Sequence, residues 1–428
     1  MKYLSLTITC LIFVTSFVYI AYAEQALTWK ECVRETFHNH PDLIFSQYQL
    51  KQAQADKTIT KSSVLPQINA ELSEKTSDIE TKNATGTVTG TKTDSYSYSV
   101  NGRQLLFDGK TPNDIKTASL NVKAFEYDYA VTSSNIRLKL RAAFVGLLKA
   151  QELETITTDI ASRRKQNLKM VKLRYESGTE HEGALLTAQA DLAQAEYEVV
   201  EAKRNVVVAQ RQLIKELGRN KFMPIKVKGD FKVIENNTEE IDLENLAENT
   251  PMLKELIAKK EAAKFGVKSA KADFFPQVYL DGSIGKSSSS WPPQEEKWSV
   301  GVTMSLPIFE GGSKIAEVSK AKAEFKQAQE TERSGRDGVI YTLQEAWTDF
   351  KNAVDKISVQ HKYLEAAQAR AKIANAEYST GLISFDDWII IEDNLVSTKK
   401  AFLNSQEDML ITEAKWIQAK GGTLEYDN

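Results

Sequence analysis

Leu65-Pro66-Gln67-Ile68 and Phe275-Pro276-Gln277-Val278 are two copies of one short pattern, and they lie 210 residues apart. A second pair has the same spacing, because Asn39-His40-Pro41-Asp42-Leu43 is repeated as Asn249-Thr250-Pro251-Met252-Leu253. Prolines at matched positions predict helix breaks at matched positions. The two halves of the chain therefore share a plan over a long distance.

Two later pairs extend the correspondence. Leu106-Phe107-Asp108-Gly109 matches Ile308-Phe309-Glu310-Gly311, and Tyr175-Glu176-Ser177-Gly178 matches Tyr378-Ser379-Thr380-Gly381. The order of these landmarks is the same in both halves. A repeat of this length indicates a duplicated domain rather than a short solenoid unit.

The chain of 428 residues begins like an exported protein. Lys2 precedes a mostly apolar stretch, and Ala21-Tyr22-Ala23 has the form of a cleavage site, so we predict a signal peptide at 1–23. Beyond it no apolar run reaches roughly 18 residues, so we expect no membrane-spanning helix. Removing Lys2 changes the net charge from −3 to −4, a near balance that favours no nucleic-acid partner.

Each half contains a stretch of strict alternation, which is typical of strands with one apolar face. Tyr96, Tyr98 and Val100 alternate with serines in the first half, and 298–306 repeats the pattern in the second. The connections, at about 74–94 and 286–297, are hydrophilic and are predicted to be loops. The aromatic residues of these stretches suit either a membrane-interface belt or ordinary sheet packing. They are Tyr96, Tyr98, Trp291 and Trp298.

Each hairpin is followed by a helical stretch with no proline in its interior, 112–175 and 313–378, and by a returning helix. A helix of about 65 residues reaches roughly 95–100 Å, which suits tubular packing rather than a compact domain. The predicted segments are the signal peptide 1–23, a first repeat 24–218, an equatorial linker 219–241, a second repeat 242–421 and a tail 422–428. The first repeat contains β-hairpin 66–107 and helical hairpin 112–217. The second contains β-hairpin 276–307 and helical hairpin 313–419.

Four strands cannot close a membrane barrel, since the smallest common ones have about eight. An open sheet also leaves its edges unpaired. Association of identical chains removes both problems, and a trimer supplies twelve strands around a lumen. The predicted fold class is mainly α with a membrane β-barrel. The chain is internally duplicated, with four strands and four long helical strands per protomer, and closes as a trimer into a 12-stranded β-barrel plus an α-helical barrel.

Taken together, the paired motifs and the stretch at 185–196 resemble the TolC-like outer-membrane efflux protein family, the outer-membrane factors of tripartite export systems. The resemblance covers essentially the whole mature chain. It implies a homotrimeric duct in the cell outer membrane with a long periplasmic extension. Such a duct passively conducts substrates outward, in efflux or type I secretion. The implied partners are a periplasmic adaptor, an inner-membrane pump of the RND, ABC or MFS type, and outer-membrane lipid, with no cofactor.

The resemblance also implies two sets of site residues at the turns between the long helices. One set contacts the adaptor and comprises Gly178, Thr179, Glu180, Gly381, Leu382, Ile383 and Ser384. The other narrows the closed pore and comprises Asp386 and Asp387. Carboxylates at a helix start also suit a capping role, and the two roles are compatible. This chain departs from the family pattern at Ile390, where a further aspartate is often found, and at His181-Glu182-Gly183-Ala184.

Enzymatic function finds little support in the sequence. The segment His38-Asn39-His40 lies at a helix break whose counterpart, around Asn249, lacks the histidines. Cysteine and histidine spacings typical of metal sites are absent, as are nucleophile and phosphate-binding motifs. We predict no catalytic, cofactor-binding or metal-binding residues. The alternative to a duct is a non-pore periplasmic coiled-coil adaptor or structural protein.

Overall fold

The computed structural model describes residues 26–82, 86, 88–231 and 242–427. The predicted signal peptide 1–23 lies outside these residues, as does 232–241 of the predicted linker. The helices are α1 Trp29–Asn39, α2 Pro41–Ser62, α3 Thr111–Glu176, α4 Glu182–Glu216, α5 Leu243–Asn249, α6 Pro251–Ala272, α7 Ser313–Thr380 and α8 Phe385–Ala419, with a 3₁₀ turn at Leu424–Asp427. The strands are β1 Ala26–Leu27, β2 Gln67–Lys82, β3 Val88–Phe107, β4 Lys226–Val227, β5 Gln277–Ser288 and β6 Glu295–Ser305.

The short helices of each half end just before prolines, at the helix breaks that the sequence predicts. His40 and Thr250 each close one helix and cap the next, with φ/ψ of −69°/122° and −67°/141°. The residue before a proline is pushed into this extended region by contact with the proline ring. Helix α1 starts with a capping box, in which the Thr28 N–H donates to Glu31 Oε2 at 2.8 Å and the Glu31 N–H donates to Thr28 Oγ1.

Two glycines hold these helix breaks against the ends of the long hairpins. Gly218 follows α4 with φ +73°, and a Cβ there would lie 2.4 Å from the Asn39 carbonyl oxygen. Gly421 follows α8 with φ +83°, and its Cβ would lie 2.2 Å from Pro251. Only glycine combines a left-handed backbone with such close approach. The repeat is therefore visible in tertiary packing as well as in sequence.

Replacing Gly218 by alanine is expected to destabilise the protein by roughly 2 kcal/mol or more, because left-handed strain adds to the clash with Asn39. Thermal unfolding followed by circular dichroism measures the effect. Gly266→Ala is the control, since Gly266 lies in α6 and a Cβ there meets nothing within 4 Å. Alanine favours a helix interior over glycine, so this variant should be as stable as the parent or slightly more. Equal losses in both variants would contradict the packing role of Gly218.

The four long strands form one antiparallel sheet in the order β2-β3-β5-β6. Its register places Ala70, Val100, Ile284 and Trp298 in one row across all four strands. Side chains of this face are left to solvent in a single protomer, with Trp298 77% exposed. The free edges of β2 and β6 and this bare apolar face show that the sheet is a segment of a larger structure.

The predicted hydrophilic loop at 74–94 is wrong for most of its length. Strands β2 and β3 remain paired from Gln67↔Arg103 out to Lys82↔Val88, so they form a two-stranded ribbon that extends past β5 and β6. Threonines favour an extended backbone, and Thr76 Oγ1 donates to Asp94 Oδ1 at 2.7 Å across the ribbon. The second predicted loop, 286–297, is shorter than expected because β5 continues to Ser288 and β6 starts at Glu295.

Helix α3 lies at the centre of the helical part. It contacts α2 and α6 near the sheet, and α4 and α8 further away, while α7 contacts both α6 and α8. The lateral order is thus α2-α3-α6-α7 near the sheet and α4-α3-α8-α7 beyond it. This order leaves α7 on one edge of the protomer and α2 and α4 on the other.

Both lateral edges of the protomer carry exposed apolar side chains. They are Phe45 and Tyr48 on α2, Tyr197 and Val208 on α4, and Tyr341 and Tyr363 on α7. In the predicted ring of identical chains, these edges place α7 of one chain next to α2 and α4 of the neighbouring chain. The main buried core lies between these edges, around Leu140, Phe144 and Leu213. Among the described residues, no helix has the length and apolar character needed to cross a bilayer.

Candidate gate and docking site at the helical tips

The two Tyr-x-x-Gly motifs form the turns that end α3 and α7. Gly178 and Gly381 have φ of +72° and +78°. The Thr179 N–H donates to the Arg174 carbonyl at 2.9 Å, and the Leu382 N–H donates to the Glu377 carbonyl at 2.8 Å. These bonds reach five residues back, as expected of a helix that ends in a left-handed residue. Both long hairpins therefore turn with the same backbone geometry.

An aromatic stack joins the two turns. The ring of Tyr378, at the end of α7, lies parallel to Trp388 in α8 with centroids 4.3 Å apart. The Arg174 guanidinium lies 4.8 Å from the Tyr378 centroid, and Phe385 meets both rings edge-on. Tyr378 and Trp388 are completely buried. The stack therefore connects α3, α7 and α8, and cation–π and aromatic contacts of this kind add to ordinary burial.

A polar contact reinforces the stack. The Tyr378 hydroxyl donates to Glu180 Oε2 at 2.9 Å, and Arg174 Nη1 donates to the Tyr378 carbonyl at 3.0 Å. Burial, followed by the nearby Glu180 carboxylate, raises the pKa of Tyr378, so the phenol keeps its proton at neutral pH. We call the contacts among Arg174, Glu180, Tyr378 and Trp388 the tip latch. Because Glu180 belongs to the first hairpin and Tyr378 to the second, the latch ties the hairpins together.

The residues predicted to contact an adaptor differ in their exposure. Gly178, Thr179, Gly381, Leu382 and Ser384 are exposed on the turns. Ile383 is half-buried and packs against the aromatic cluster. The Glu180 side chain is 10% exposed because it faces Tyr378 and Arg174. The structure thus leaves five of these residues accessible and engages the Glu180 side chain in the latch.

Asp386 and Asp387, predicted to narrow the pore, occupy the first turn of α8 and are exposed. The Asp387 N–H donates to Ser384 Oγ at 3.1 Å, and Ser384 Oγ–H donates to Asp387 Oδ2 at 2.6 Å. This reciprocal pair is a helix cap. Ser384 is therefore the N-cap of α8, and both aspartates lie in its first turn, where a carboxylate is favoured; their pore-narrowing role stays a prediction.

Two consecutive arginines of α3 hold α8 above the latch. Arg163 donates to Glu392 through Nε at 2.5 Å and Nη2 at 2.6 Å, and Glu392 is 1% exposed. Arg164 donates to Asp393 and lies 3.9 Å from Asp191 of α4. Burial, which outweighs the attraction of Arg164, raises the pKa of Asp191. A bidentate arginine–carboxylate pair fixes orientation as well as distance, so α8 is held in one rotational setting.

Sequence reasoning did not find the ion pairs or Trp388. A partial signal existed for Trp388, because Phe385 and Trp388 are three residues apart and so lie on one helix face. No local pattern pairs Arg163 with Glu392. His40 at the first helix break has a structural role, since its Nδ1 accepts from the Asp42 N–H at 3.2 Å and so caps α2. Within the described ranges, no three His, Cys, Asp or Glu side chains converge as a metal site.

The family model described as outer membrane efflux protein matches residues 33–219 and 243–422. The chain belongs to this family. The two matched ranges each contain one helical hairpin and one β-hairpin, so the duplication and the family assignment agree. The family consists of outer-membrane channel proteins rather than enzymes.

Known relatives of this outer membrane efflux protein align over most of its length. The probable outer membrane lipoprotein SilC of Salmonella typhimurium is 22% identical over 413 residues, covering 91% of this chain and 85% of the relative. The outer membrane protein TolC of Vibrio cholerae is 20% identical over 422 residues, covering 93% and 92%. The crystal structure of the Campylobacter jejuni CmeC outer membrane channel superposes with a TM-score of 0.80 at 20% identity, covering 92% of this chain and 85% of that one.

The predicted fold and function are confirmed by these comparisons. The efflux protein has the TolC-like fold, in which the trimer closes the strands into a β-barrel and the helices into a periplasmic α-barrel. It is an exit channel of the outer membrane for efflux or type I secretion. Channels of this kind are trimers that work with an adaptor and an inner-membrane pump. The alternative of a non-pore adaptor is therefore wrong.

Proposed function

We propose that the helical tips of this efflux protein perform two tasks, docking the adaptor and closing the duct at rest. The accessible turn residues Gly178, Thr179, Gly381, Leu382 and Ser384 contact the adaptor, while the start of α8 forms the constriction. The pump reached through the adaptor is of the RND, ABC or MFS type. Outer-membrane lipid covers the apolar face of the strands.

The tip latch is the observation that carries this proposal. It joins the hairpins of the two repeats at their far ends, where two hydrogen bonds and an aromatic stack connect α7 and α8 to α3 and its turn. Contacts at the tips are suited to a gate, because breaking them frees the ends without unfolding the tube. Adaptor binding to the adjoining turns is then a means of shifting the latch.

Three symmetry-related pairs of Asp386 and Asp387 attract cations to the constriction in this proposal. Neutralising Asp387 in Asp387→Asn is expected to lower the cation preference of the closed trimer in planar bilayers, since a ring of fixed carboxylates selects for cations. The N–H of residue 387 still donates to Ser384 Oγ, and the asparagine Oδ1 can still accept the Ser384 hydroxyl, so the start of α8 stays formed.

The cap and the charge can be separated with two further variants. Asp387→Ala removes the carboxylate but keeps the backbone N–H that donates to Ser384 Oγ, whereas Ser384→Ala removes the cap and keeps the carboxylate. The proposal predicts reduced cation preference in both Asp387 variants and unchanged preference in Ser384→Ala. Unchanged selectivity and conductance in Asp387→Asn would show that this carboxylate serves only to accept the Ser384 hydroxyl.

A further inference from the structure

One apolar side chain interrupts a polar face at the start of α8. The residues that this face exposes are Asp386, Asp387, Ile390, Asp393, Asn394 and Ser397. Within α8, which is described throughout, Ile390 is the only apolar member of this row over its first three turns, and it is 65% exposed. An isolated surface isoleucine needs no explanation by itself. Ile390 does need an explanation, because it lies between carboxylates on a helix that is anchored to the core both before and after it.

The anchors lie two residues before and two residues after Ile390. Trp388 is buried in the tip latch, and Glu392 is buried in its bidentate pair with Arg163. Two residues along an α-helix correspond to a rotation of about 200°, so both anchors lie on the side opposite Ile390. Rotating Ile390 toward the core would therefore pull a tryptophan and a paired carboxylate out of it.

The flanking residues have their own packing partners. Ile389 and Ile391 are half-buried and pack against the aromatic cluster around Trp388. Of the three consecutive isoleucines, only the middle one is exposed. The outward position of Ile390 is thus imposed by the fold.

We propose that Ile390 side chains of the three protomers meet at the constriction and form an apolar ring that is the barrier to ions and water in the closed duct. This inference rests on the proposed function, in which the same face of α8 lines the constriction. Apolar constrictions block conduction by expelling water from the narrow segment. The carboxylates on either side keep water and cations at both mouths of that segment. The carboxylates therefore determine the charge sign of the ions that enter, while Ile390 determines the conductance of the closed duct.

The contacts that the carboxylates make within the protomer support separate roles for the carboxylates and for Ile390. Asp387 is bonded to Ser384, and Asp393 is bonded to Arg164, so both carboxylates are partly engaged within the protomer. Ile390 has no polar atom and no role in a cap. It occupies the row one turn beyond Asp386 and one turn before Asp393 and Asn394.

The test uses the purified full-length trimer, without partner proteins, in planar bilayers. Ile390→Asn replaces the apolar side chain by a smaller, polar one that holds water, and it is expected to raise closed-state conductance at least fivefold. Ile390→Leu keeps the apolar ring and should stay within twofold of the parent. Ile373→Asn is the matched control, because Ile373 is 59% exposed on α7 and belongs neither to the row nor to the docking turns. It should leave conductance unchanged.

Parental conductance in Ile390→Asn would overturn the inference, as would equal increases in Ile390→Asn and Ile373→Asn. A latch variant, Tyr378→Phe, distinguishes this failure from failure of the proposed constriction. If Tyr378→Phe raises conductance and Ile390→Asn does not, the constriction stands and the apolar ring is wrong. If neither variant changes conductance, the constriction does not lie at the tips and both ideas fail. Heat-dependent dissociation of the trimer on gels checks that each variant is assembled.

Discussion

Replacing Arg163 by alanine is expected to cost about 3 kcal/mol of local stability in α8. The substitution leaves the Glu392 carboxylate, which is 1% exposed, without the guanidinium that contacts both of its oxygens. A buried charge that loses its partner is among the most destabilising changes in a protein interior. Hydrogen exchange of the amides in the first three turns of α8 measures the effect as a loss of protection.

Two further variants test whether the cost arises from the stranded charge. Arg163→Met combined with Glu392→Leu removes both charges and keeps similar volume, so we expect it to recover most of the lost protection. Lys356→Ala breaks a pair with Asp408 whose side chains are more than half exposed, and it should change stability by less than about 1 kcal/mol. If Arg163→Ala were as mild as Lys356→Ala, the pair would not anchor α8.

Replacing Trp388 by alanine is expected to disable the tip latch. Deletion of a fully buried tryptophan costs roughly 3–5 kcal/mol through lost burial and the cavity that remains. Here the loss falls on the stack that holds α8 against Tyr378 and Arg174. We therefore expect a more than tenfold rise in the closed-state conductance of the trimer in planar bilayers, with larger fluctuations between levels.

Smaller changes at the latch separate packing from hydrogen bonding. Trp388→Phe keeps an aromatic ring against Tyr378 and should show a smaller rise than Trp388→Ala. Tyr378→Phe keeps the stack and removes the bond to Glu180, at a cost of about 1 kcal/mol or somewhat more because Glu180 then lacks its donor. An order in which Tyr378→Phe exceeds Trp388→Ala would show that the hydrogen bond, and not the stack, holds the tips.

Local sequence patterns determine much of the architecture. The helix breaks at Pro41 and Pro251 were predictable because a proline restricts the residue before it, whatever the rest of the chain does. The turns at Gly178 and Gly381 and the alternation in β3 and β6 have the same local origin. Residues 74–94 have the polar composition typical of a loop, but their threonines lie on paired strands, and these strands extend the ribbon.

The tip site was only partly predictable. Its position followed from the turns, and its family role followed from the resemblance. Whether Glu180 lies free on the turn or faces inward depended on Tyr378, which is 198 residues away in the chain. The pairing of Arg163 with Glu392, across 229 residues, likewise has no counterpart in any short pattern.

By itself, the sequence determined that this protein is built twice from one plan, with strands of one apolar face and helices long enough for a tube. Hydrophobic periodicity, proline and glycine act on residues only a few positions away, so their effects can be predicted from the sequence alone. Only the tertiary structure decided which side of α8 is anchored and which is presented outward. That outcome depends on contacts between hairpins of different repeats, where burial of Trp388 and Glu392 leaves Ile390 on the opposite face.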